Sequence, residues 1–207
     1  MRLRLAETFG VTREQVWLRE QATVPRVTNA SLAQYRVIAF ATHALVAGDF
    51  PQLAEPALVL TPPQEATADD DGLLRASRIA QLQLDAEWVL LSCCNTAAGE
   101  TAVLEDGADG PEPRAGAEGL SGLAKAFFYA GARTLLVSHW VVETQSAMRL
   151  TTGTLEALTR NPELGKARAL QRAMLALLDD DTADHLAHPA FWAPFVVVGE
   201  GGAPSAD

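Results

Sequence analysis

Short apolar runs recur along the chain, separated by segments with helical spacing. The runs occupy residues 36–41, 57–60, 88–92, 134–138 and 195–199. Side chains on both faces of each run are apolar, so the runs predict buried strands rather than strands with one face exposed to solvent. Apolar residues recur every three to four positions over residues 76–82, 120–130, 144–158 and 166–178. That spacing predicts helices, and strands alternating with helices predict an α/β domain.

Local signals refine two of these elements. The helix over residues 120–130 is expected to pack through Leu123, Phe127 and Tyr129 or their neighbours, and Gly131 is expected to end it. Pro194 has no N–H to give to a sheet, so the strand that follows it is expected at or near the sheet edge.

Two segments lack any periodicity, and a short tail follows the last predicted strand. Residues 61–72 hold two prolines and an Asp-Asp-Asp-Gly turn, which predict a hairpin connection. Residues 99–119 are rich in glycine, proline and acids, and they predict a long mobile loop. Residues 200–207 predict a flexible tail, which leaves residues 1–199 as the domain.

Charge and cysteine usage narrow the class of protein. The chain carries 16 basic and 26 acidic residues, a net charge of −10, without a basic cluster for nucleic acid. No apolar stretch reaches the length of a signal peptide or a membrane span, so we expect no membrane partner. The only cysteines, Cys93 and Cys94, are adjacent, and neighbours rarely form an unstrained disulfide with each other. We therefore expect a reducing, cytoplasmic setting.

Two predicted strands are followed directly by chemically capable side chains. His43 comes directly after the run at 36–41, and Cys93 and Cys94 follow the run at 88–92. Ligands and catalytic groups gather beyond the carboxyl ends of strands in open α/β sheets. Cys94 lies 51 positions after His43, close to the spacing of about 50 in caspases. A thiolate, an imidazole and free backbone amides at Ala44 and Cys94 would suit a cysteine peptidase with an oxyanion hole.

Other readings of these residue types stay open at this point. Cys93 competes with Cys94 as nucleophile, and a cysteine after an apolar run is often only a small core residue. His139 follows another predicted strand and is a rival base, as are His185 and His188. Adjacent cysteines lack the spacing of a structural zinc site, so we expect no metal and no cofactor.

Four motifs occur in order: VIAFATHALV, WVLLSCCNTAAGE, EGLSGLAKAFFYAGARTLLVSHWVV and HPAFWAPFVVVG. With these motifs the chain resembles the CHAT family of bacterial peptidases, which is grouped with caspases, separases and gingipains. The resemblance implies a caspase-like three-layer α/β/α sandwich with a mainly parallel sheet, and hydrolysis of a protein substrate. It also implies His43 and Cys94 as the catalytic pair, with the amides of Ala44 and Cys94 as the oxyanion hole.

The resemblance carries further expectations about the substrate pocket and the domain boundary. The segment holding Trp140, Val141 and Glu143 matches one that helps line the pocket before the cut, and Glu143 would favour a basic side chain there. Relatives begin with another strand and helix, so this copy is expected to be truncated and to lack the first strand. Relatives also often follow helical repeats, which suggests a regulatory or helical-repeat partner.

The truncation leaves alternatives to an active cysteine endopeptidase. One is a silent caspase-like interaction module or a fragment of a longer protein. Another is a redox-sensing thiol domain built on Cys93 and Cys94.

Overall fold

The computed structural model describes residues 10–48, 53–67, 69–91, 116–140, 142–180 and 184–202. Its strands are β1 (Val37–Phe40), β2 (Ala44–Leu45), β3 (Ala57–Val59), β4 (Leu73–Arg75), β5 (Trp88–Leu91), β6 (Thr134–Ser138) and β7 (Phe195–Gly199). Its α-helices are α1 (Val24–Thr28), α2 (Ala76–Ile79), α3 (Gly116–Tyr129), α4 (Thr144–Arg160), α5 (Lys166–Leu178) and α6 (Pro189–Trp192). Short 3₁₀ helices occupy Arg13–Gln15, Arg19–Gln21, Leu32–Gln34, Pro162–Leu164 and Asp184–Ala187.

The main sheet has the strand order β1-β5-β6-β7. Strands β1, β5 and β6 are parallel, and β7 runs antiparallel to β6. The mainly parallel sheet predicted from the sequence is therefore confirmed, and so is the edge position of the strand after Pro194. A second, antiparallel sheet joins β2, β3 and β4, and the predicted hairpin connection links the last two.

Helices cover both faces of the main sheet and bury two apolar clusters. Along β5, Val89 and Leu91 belong to the cluster that includes α3, while Trp88 and Leu90 belong to the cluster that includes α4 and α5. All four residues of this strand are buried, as the two-sided apolar run predicts. The result is a layered α/β domain with a caspase-like arrangement of sheet and helices.

Helix α3 confirms part of its predicted packing and corrects the rest. Leu123 and Phe127 are buried, but Tyr129 is 83% exposed, so its predicted packing role is wrong. At 100° per residue, Ala126 and Ala130 share the face of Leu123 and Phe127, whereas Tyr129 points away from the core.

Gly131 ends α3 as predicted. Its φ is +106°, a left-handed conformation that glycine adopts without steric cost. The N–H of Gly131 donates to the carbonyl of Phe128 at 3.1 Å, and the N–H of Ala132 donates to that of Phe127 at 2.9 Å. These two bonds form a Schellman cap, which satisfies carbonyls at the end of the helix.

Two predicted boundaries differ from the structure. The helix predicted over 76–82 ends at Ile79, because the N–H groups of Gln81 and Leu82 bond three residues back instead of four. The loop predicted over 99–119 overlaps α3, which already begins at Gly116. The rest of that loop, and residues 203–207 of the predicted tail, lie outside the described residues. No helix in the described ranges is long and apolar enough to cross a membrane.

Candidate catalytic edge of the sheet

The register of β1 and β5 sets the position of the candidate site. In this parallel pair Phe40 lies opposite Leu91, so both strands end at the same level. His43 comes three positions after Phe40, and Cys94 comes three positions after Leu91. Both strands therefore end at the same edge of the sheet, which is the edge where the sequence predicts the reacting groups.

The backbone around His43 is held by the second sheet. The carbonyl of His43 accepts a 2.8 Å hydrogen bond from the N–H of Val59. The neighbouring Thr42 hydroxyl donates to the carbonyl of Val59. These bonds fix the main chain just after β1, while the imidazole of His43 stays exposed to solvent. A fixed backbone with an accessible ring suits a residue that moves protons.

Ala44 presents its amide away from the second sheet. Ala44 pairs with Leu58 in an antiparallel register, and the adjacent pair of His43 and Val59 makes the hydrogen bond. Adjacent pairs in such a ladder alternate between bonded and non-bonded, so the N–H of Ala44 points away from β3. Ala44 itself is buried. The N–H of Ala44 therefore makes no hydrogen bond to β3, as a donor to an oxyanion requires.

The predicted nucleophile lies outside the described residues. The description ends at Leu91 and resumes at Gly116, so it includes neither Cys93 nor Cys94. The separation of a cysteine sulfur from His43, and the choice between the two cysteines, therefore stay predictions. Val141 of the predicted pocket also lies outside the described residues.

Trp140 stands at the same edge, two positions after the end of β6. Its side chain is 40% exposed, and its indole Nε1–H donates to the carbonyl of Ala190 at 3.0 Å. The N–H of the preceding His139 donates to the carbonyl of Pro194 at 2.9 Å. Two long-range bonds therefore fix this aromatic ring beside the strand ends, and it can serve as an apolar wall for a ligand.

Glu143 lies farther along the same segment, at the residue that precedes α4. Its side chain is exposed, and its Oε2 accepts a 3.1 Å hydrogen bond from the hydroxyl of Ser146. Ser146 is fully buried. One carboxylate oxygen is therefore bound to the helix, which orients the other oxygen of Glu143.

The rival histidines have different surroundings. His188 Nδ1 accepts a 3.2 Å hydrogen bond from the N–H of Ala190 and caps α6. The ring of His185 packs edge-on against Phe191, 5.8 Å between centroids. His139 is exposed at the end of β6. Within the described ranges, no group of three histidine, cysteine or acidic side chains could hold a metal ion.

The residues that support this edge carry no local signal in the sequence. Ala190 and Pro194 act through their carbonyl oxygens, which bind Trp140 and His139. Both belong to the motif HPAFWAPFVVVG, and no local pattern indicated that its backbone would reach a segment 50 positions earlier. Their contribution depends on tertiary structure alone.

Charged pairs gather at the opposite edge, before the strands begin. Arg36 and Glu87 form two hydrogen bonds of 2.9 and 2.8 Å, and the guanidinium holds the pKa of the Glu87 carboxyl below its usual value. Arg133 pairs with Asp85 at 2.8 Å. Lys166 is half-buried there, and loss of hydration lowers the pKa of its ammonium. This edge is occupied by structural contacts.

Comparison with known families decides the affiliation. The CHAT domain profile matches residues 2–200, nearly the whole chain. The chain belongs to the CHAT family. That family is related to cysteine peptidases, which agrees with the fold and with the position of His43 at the carboxyl edge of the sheet. No curated protein matches the chain.

Proposed function

We propose that this CHAT domain is a cysteine endopeptidase in which Cys94 is the nucleophile and His43 its proton-transfer partner. The observation that carries the proposal is the register of Phe40 with Leu91 in adjacent parallel strands. Because His43 and Cys94 each follow this pair by three positions, we expect the thiol and the imidazole to lie near each other beyond the same edge of the sheet. The CHAT match adds the expected chemistry.

The proposed reaction has two steps. The Cys94 thiolate attacks the scissile carbonyl carbon, and the amides of Ala44 and Cys94 stabilise the oxyanion. The carbon–nitrogen bond then breaks as the imidazolium of His43 gives its proton to the leaving amine. In the second step water, deprotonated by the imidazole, hydrolyses the thioester and regenerates the free thiol. The turned-out amide of Ala44 supports its part in this scheme.

The substrate side chain before the cut is proposed to lie against Trp140, Val141 and Glu143. The indole of Trp140 is fixed by Ala190 and partly exposed, which suits an apolar wall. Glu143 has one oxygen bound to Ser146, so the other can pair with a cation. We therefore expect a preference for arginine or lysine at that position of the substrate.

A peptide-like electrophile tests the proposed dyad. An acyloxymethyl ketone that carries arginine next to the reactive carbonyl should label one cysteine of the full 207-residue chain, and peptide mapping should locate it at Cys94. His43→Ala and Cys94→Ala should each abolish labelling, whereas Cys93→Ala should preserve it. Turnover of a protein substrate should follow the same pattern, with the double variant little worse than either single one.

Other outcomes would favour the alternatives. Slow labelling that is indifferent to His43→Ala would contradict the dyad and favour a silent interaction module. Equal labelling of Cys93 and Cys94, with a mixed-disulfide product under mild oxidant, would favour a redox thiol domain. Circular dichroism of each variant controls for folding, because a lost fold would imitate a lost dyad.

A further inference from the structure

The indole of Trp140 is bound to a residue of a very short helix. Its Nε1–H donates to the carbonyl of Ala190 at 3.0 Å, across a separation of 50 positions. Ala190 belongs to α6, which has four residues, Pro189–Trp192. A helix of one turn is held only weakly by its own hydrogen bonds. The position of Ala190 therefore depends on contacts from outside α6.

The sequence after α6 leaves the carbonyl of Ala190 free to bind Trp140. In a regular helix this carbonyl would accept a hydrogen bond from the N–H four residues later. That residue is Pro194, which has no N–H. The preceding N–H, that of Ala193, donates to the carbonyl of Pro189 at 2.9 Å. The indole of Trp140 thus takes the place of a donor that the helix itself does not supply.

The N–H of Ala190 is bound by the residue that precedes the helix. His188 is the N-cap of α6, and its Nδ1 accepts a 3.2 Å hydrogen bond from this N–H. Pro189 occupies the first helical position and brings no N–H, so the N–H of Ala190 is the first one that needs an acceptor. Ala190 is therefore held by His188 through its N–H and bound to Trp140 through its carbonyl.

The surroundings of His188 fix its ring for this bond. Its main-chain N–H donates to the carbonyl of His185 at 3.3 Å, and its carbonyl accepts from the N–H of Phe191 at 3.0 Å. Its ring lies edge-on to that of Phe191, 6.5 Å between centroids. The ring of His185 contacts Phe191 in the same way, at 5.8 Å, but makes no hydrogen bond within the described ranges. The two histidines share a packing partner, and His188 is the one that caps the helix.

We propose that His188 is a positioning residue of the substrate pocket, because its cap on Ala190 holds the carbonyl that fixes the indole of Trp140. The inference rests on the proposed function, in which this indole is the apolar wall beside the substrate side chain. Without the cap, the first turn of α6 loses an acceptor and frays, and the bond from Trp140 to Ala190 opens more often. His188 acts on the pocket through Ala190 and not through the substrate.

The indole N–H signal of Trp140 reports this bond without any peptidase activity. The chain has four tryptophans. In the ¹⁵N-labelled full chain, the signal of Trp140 is the one that disappears in Trp140→Phe, and its exchange with water is measured by NMR. His188→Ala should speed this exchange about five-fold, the effect expected from the loss of a helix cap. His188→Asn should keep the wild-type rate, because the Oδ1 of asparagine is bonded to Cγ, like the Nδ1 of histidine, and is a good N-cap acceptor.

Two controls separate the cap from a general loosening of the fold. His185→Ala removes the other ring that packs on Phe191 and should leave the exchange of the Trp140 indole unchanged. The indole of Trp17 donates to the carbonyl of Glu14 at 3.2 Å, within its own segment, and should exchange at the wild-type rate in every variant.

Cleavage kinetics tests the link to the substrate. With a peptide that carries arginine before the cut, His188→Ala should raise KM about five-fold and change kcat less than about two-fold, because the wall contacts the substrate away from the reacting bond. His188→Asn should restore KM. If the wild-type chain cleaves no peptide, the proposed function fails, and the exchange rates alone decide whether His188 positions Trp140.

Four results would overturn the inference. The first is equal exchange of the Trp140 indole in the wild type and in His188→Ala. The second is equally fast exchange in His188→Asn and His188→Ala, since the cap would then not be the cause. The third is acceleration of the Trp17 indole by the same factor, which would indicate general unfolding. The fourth is faster exchange with an unchanged KM, which would remove Trp140 and His188 from the pocket.

Discussion

Replacing Thr134 by valine should destabilise the domain by about 2–4 kcal/mol, although the two side chains have nearly the same shape. Thr134 is fully buried at the first position of β6. Its hydroxyl donates to the carbonyl of Glu200 at 2.9 Å and accepts from the ammonium of Lys166 at 2.7 Å. A neutral hydrogen bond contributes about 1 kcal/mol and one to a charged group about 1.5–3 kcal/mol. In Thr134→Val the ammonium of Lys166 keeps its 3.1 Å hydrogen bond to the Glu87 carbonyl. The expected loss of stability therefore lies in the lower part of the 2–4 kcal/mol range.

The assay is urea unfolding followed by circular dichroism, with Thr152→Val as the matched control. The Thr152 hydroxyl donates only to carbonyls of its own helix, at 2.7 Å to Met148 and 3.4 Å to Arg149, so its loss should cost under about 1 kcal/mol. Lys166→Met and the double variant complete a cycle, whose coupling energy should be about 1–3 kcal/mol. Equal costs for Thr134→Val and Thr152→Val, with zero coupling to Lys166, would refute the reasoning.

Three further predictions concern the core, a turn and pH. Phe127→Ala should lower the free energy of unfolding by about 3–5 kcal/mol, because Phe127 is buried. Tyr129→Ala should change it by less than about 0.5 kcal/mol, because Tyr129 is exposed. Equal losses in the two variants would contradict the assignment of the buried face of α3. Gly131→Ala should lower the free energy of unfolding by more than about 1 kcal/mol, because φ is +106° and a Cβ would lie 2.2 Å from the carbonyl oxygen of Leu84. A melting temperature equal to or above that of the wild type would contradict this prediction. In the folded chain the pKa of the Lys166 ammonium is lowered below its ordinary value of 10.5. Between the folded and the unfolded pKa the unfolded chain binds more protons than the folded chain, so the free energy of unfolding rises with pH. Urea unfolding from pH 7 to 10 should show this rise in the wild type and a smaller rise in Lys166→Met. If the free energy of unfolding changes equally with pH in the two proteins, the prediction is wrong.

The main sheet was predictable because its strands are unbroken apolar runs, although only β5 and β6 are buried at every position. The runs at 134–138 and 195–199 match β6 and β7, and helix α5 has the predicted bounds of 166–178. In each case an unbroken apolar run or a regular helical spacing determines the element by itself. The edge position of β7 followed from Pro194, a purely local signal.

Features that depend on distant contacts were not predictable. The two-residue strand β2 is too short to leave a pattern, and only its pairing with β3 defines it. Tyr129 has an aromatic side chain of the kind that usually packs, yet its angular position places it in solvent. The bond from Trp140 to Ala190 joins two segments that carry no sequence relation to each other. Tertiary packing decides all three.

The position of the candidate site was partly predictable. The end of a strand indicated the position of His43, which the structure places just after β1, and the register of Phe40 with Leu91 shows that β1 and β5 end at the same level. The position of the cysteines stays a prediction. The turned-out amide of Ala44 depends on which pair of the antiparallel ladder bonds, which sequence does not specify.

The pairing of Cys94 with His43 can be tested most directly by the pH dependence of thiol alkylation. In the Cys93→Ala background only one thiol remains, and its rate of reaction with iodoacetamide reports the thiolate fraction at each pH. With His43 present, an imidazolium beside the sulfur should place the midpoint below about pH 7. With His43→Ala added, the midpoint should move to about 8.5, the value of a free cysteine. Identical pH profiles in the two proteins would contradict the dyad.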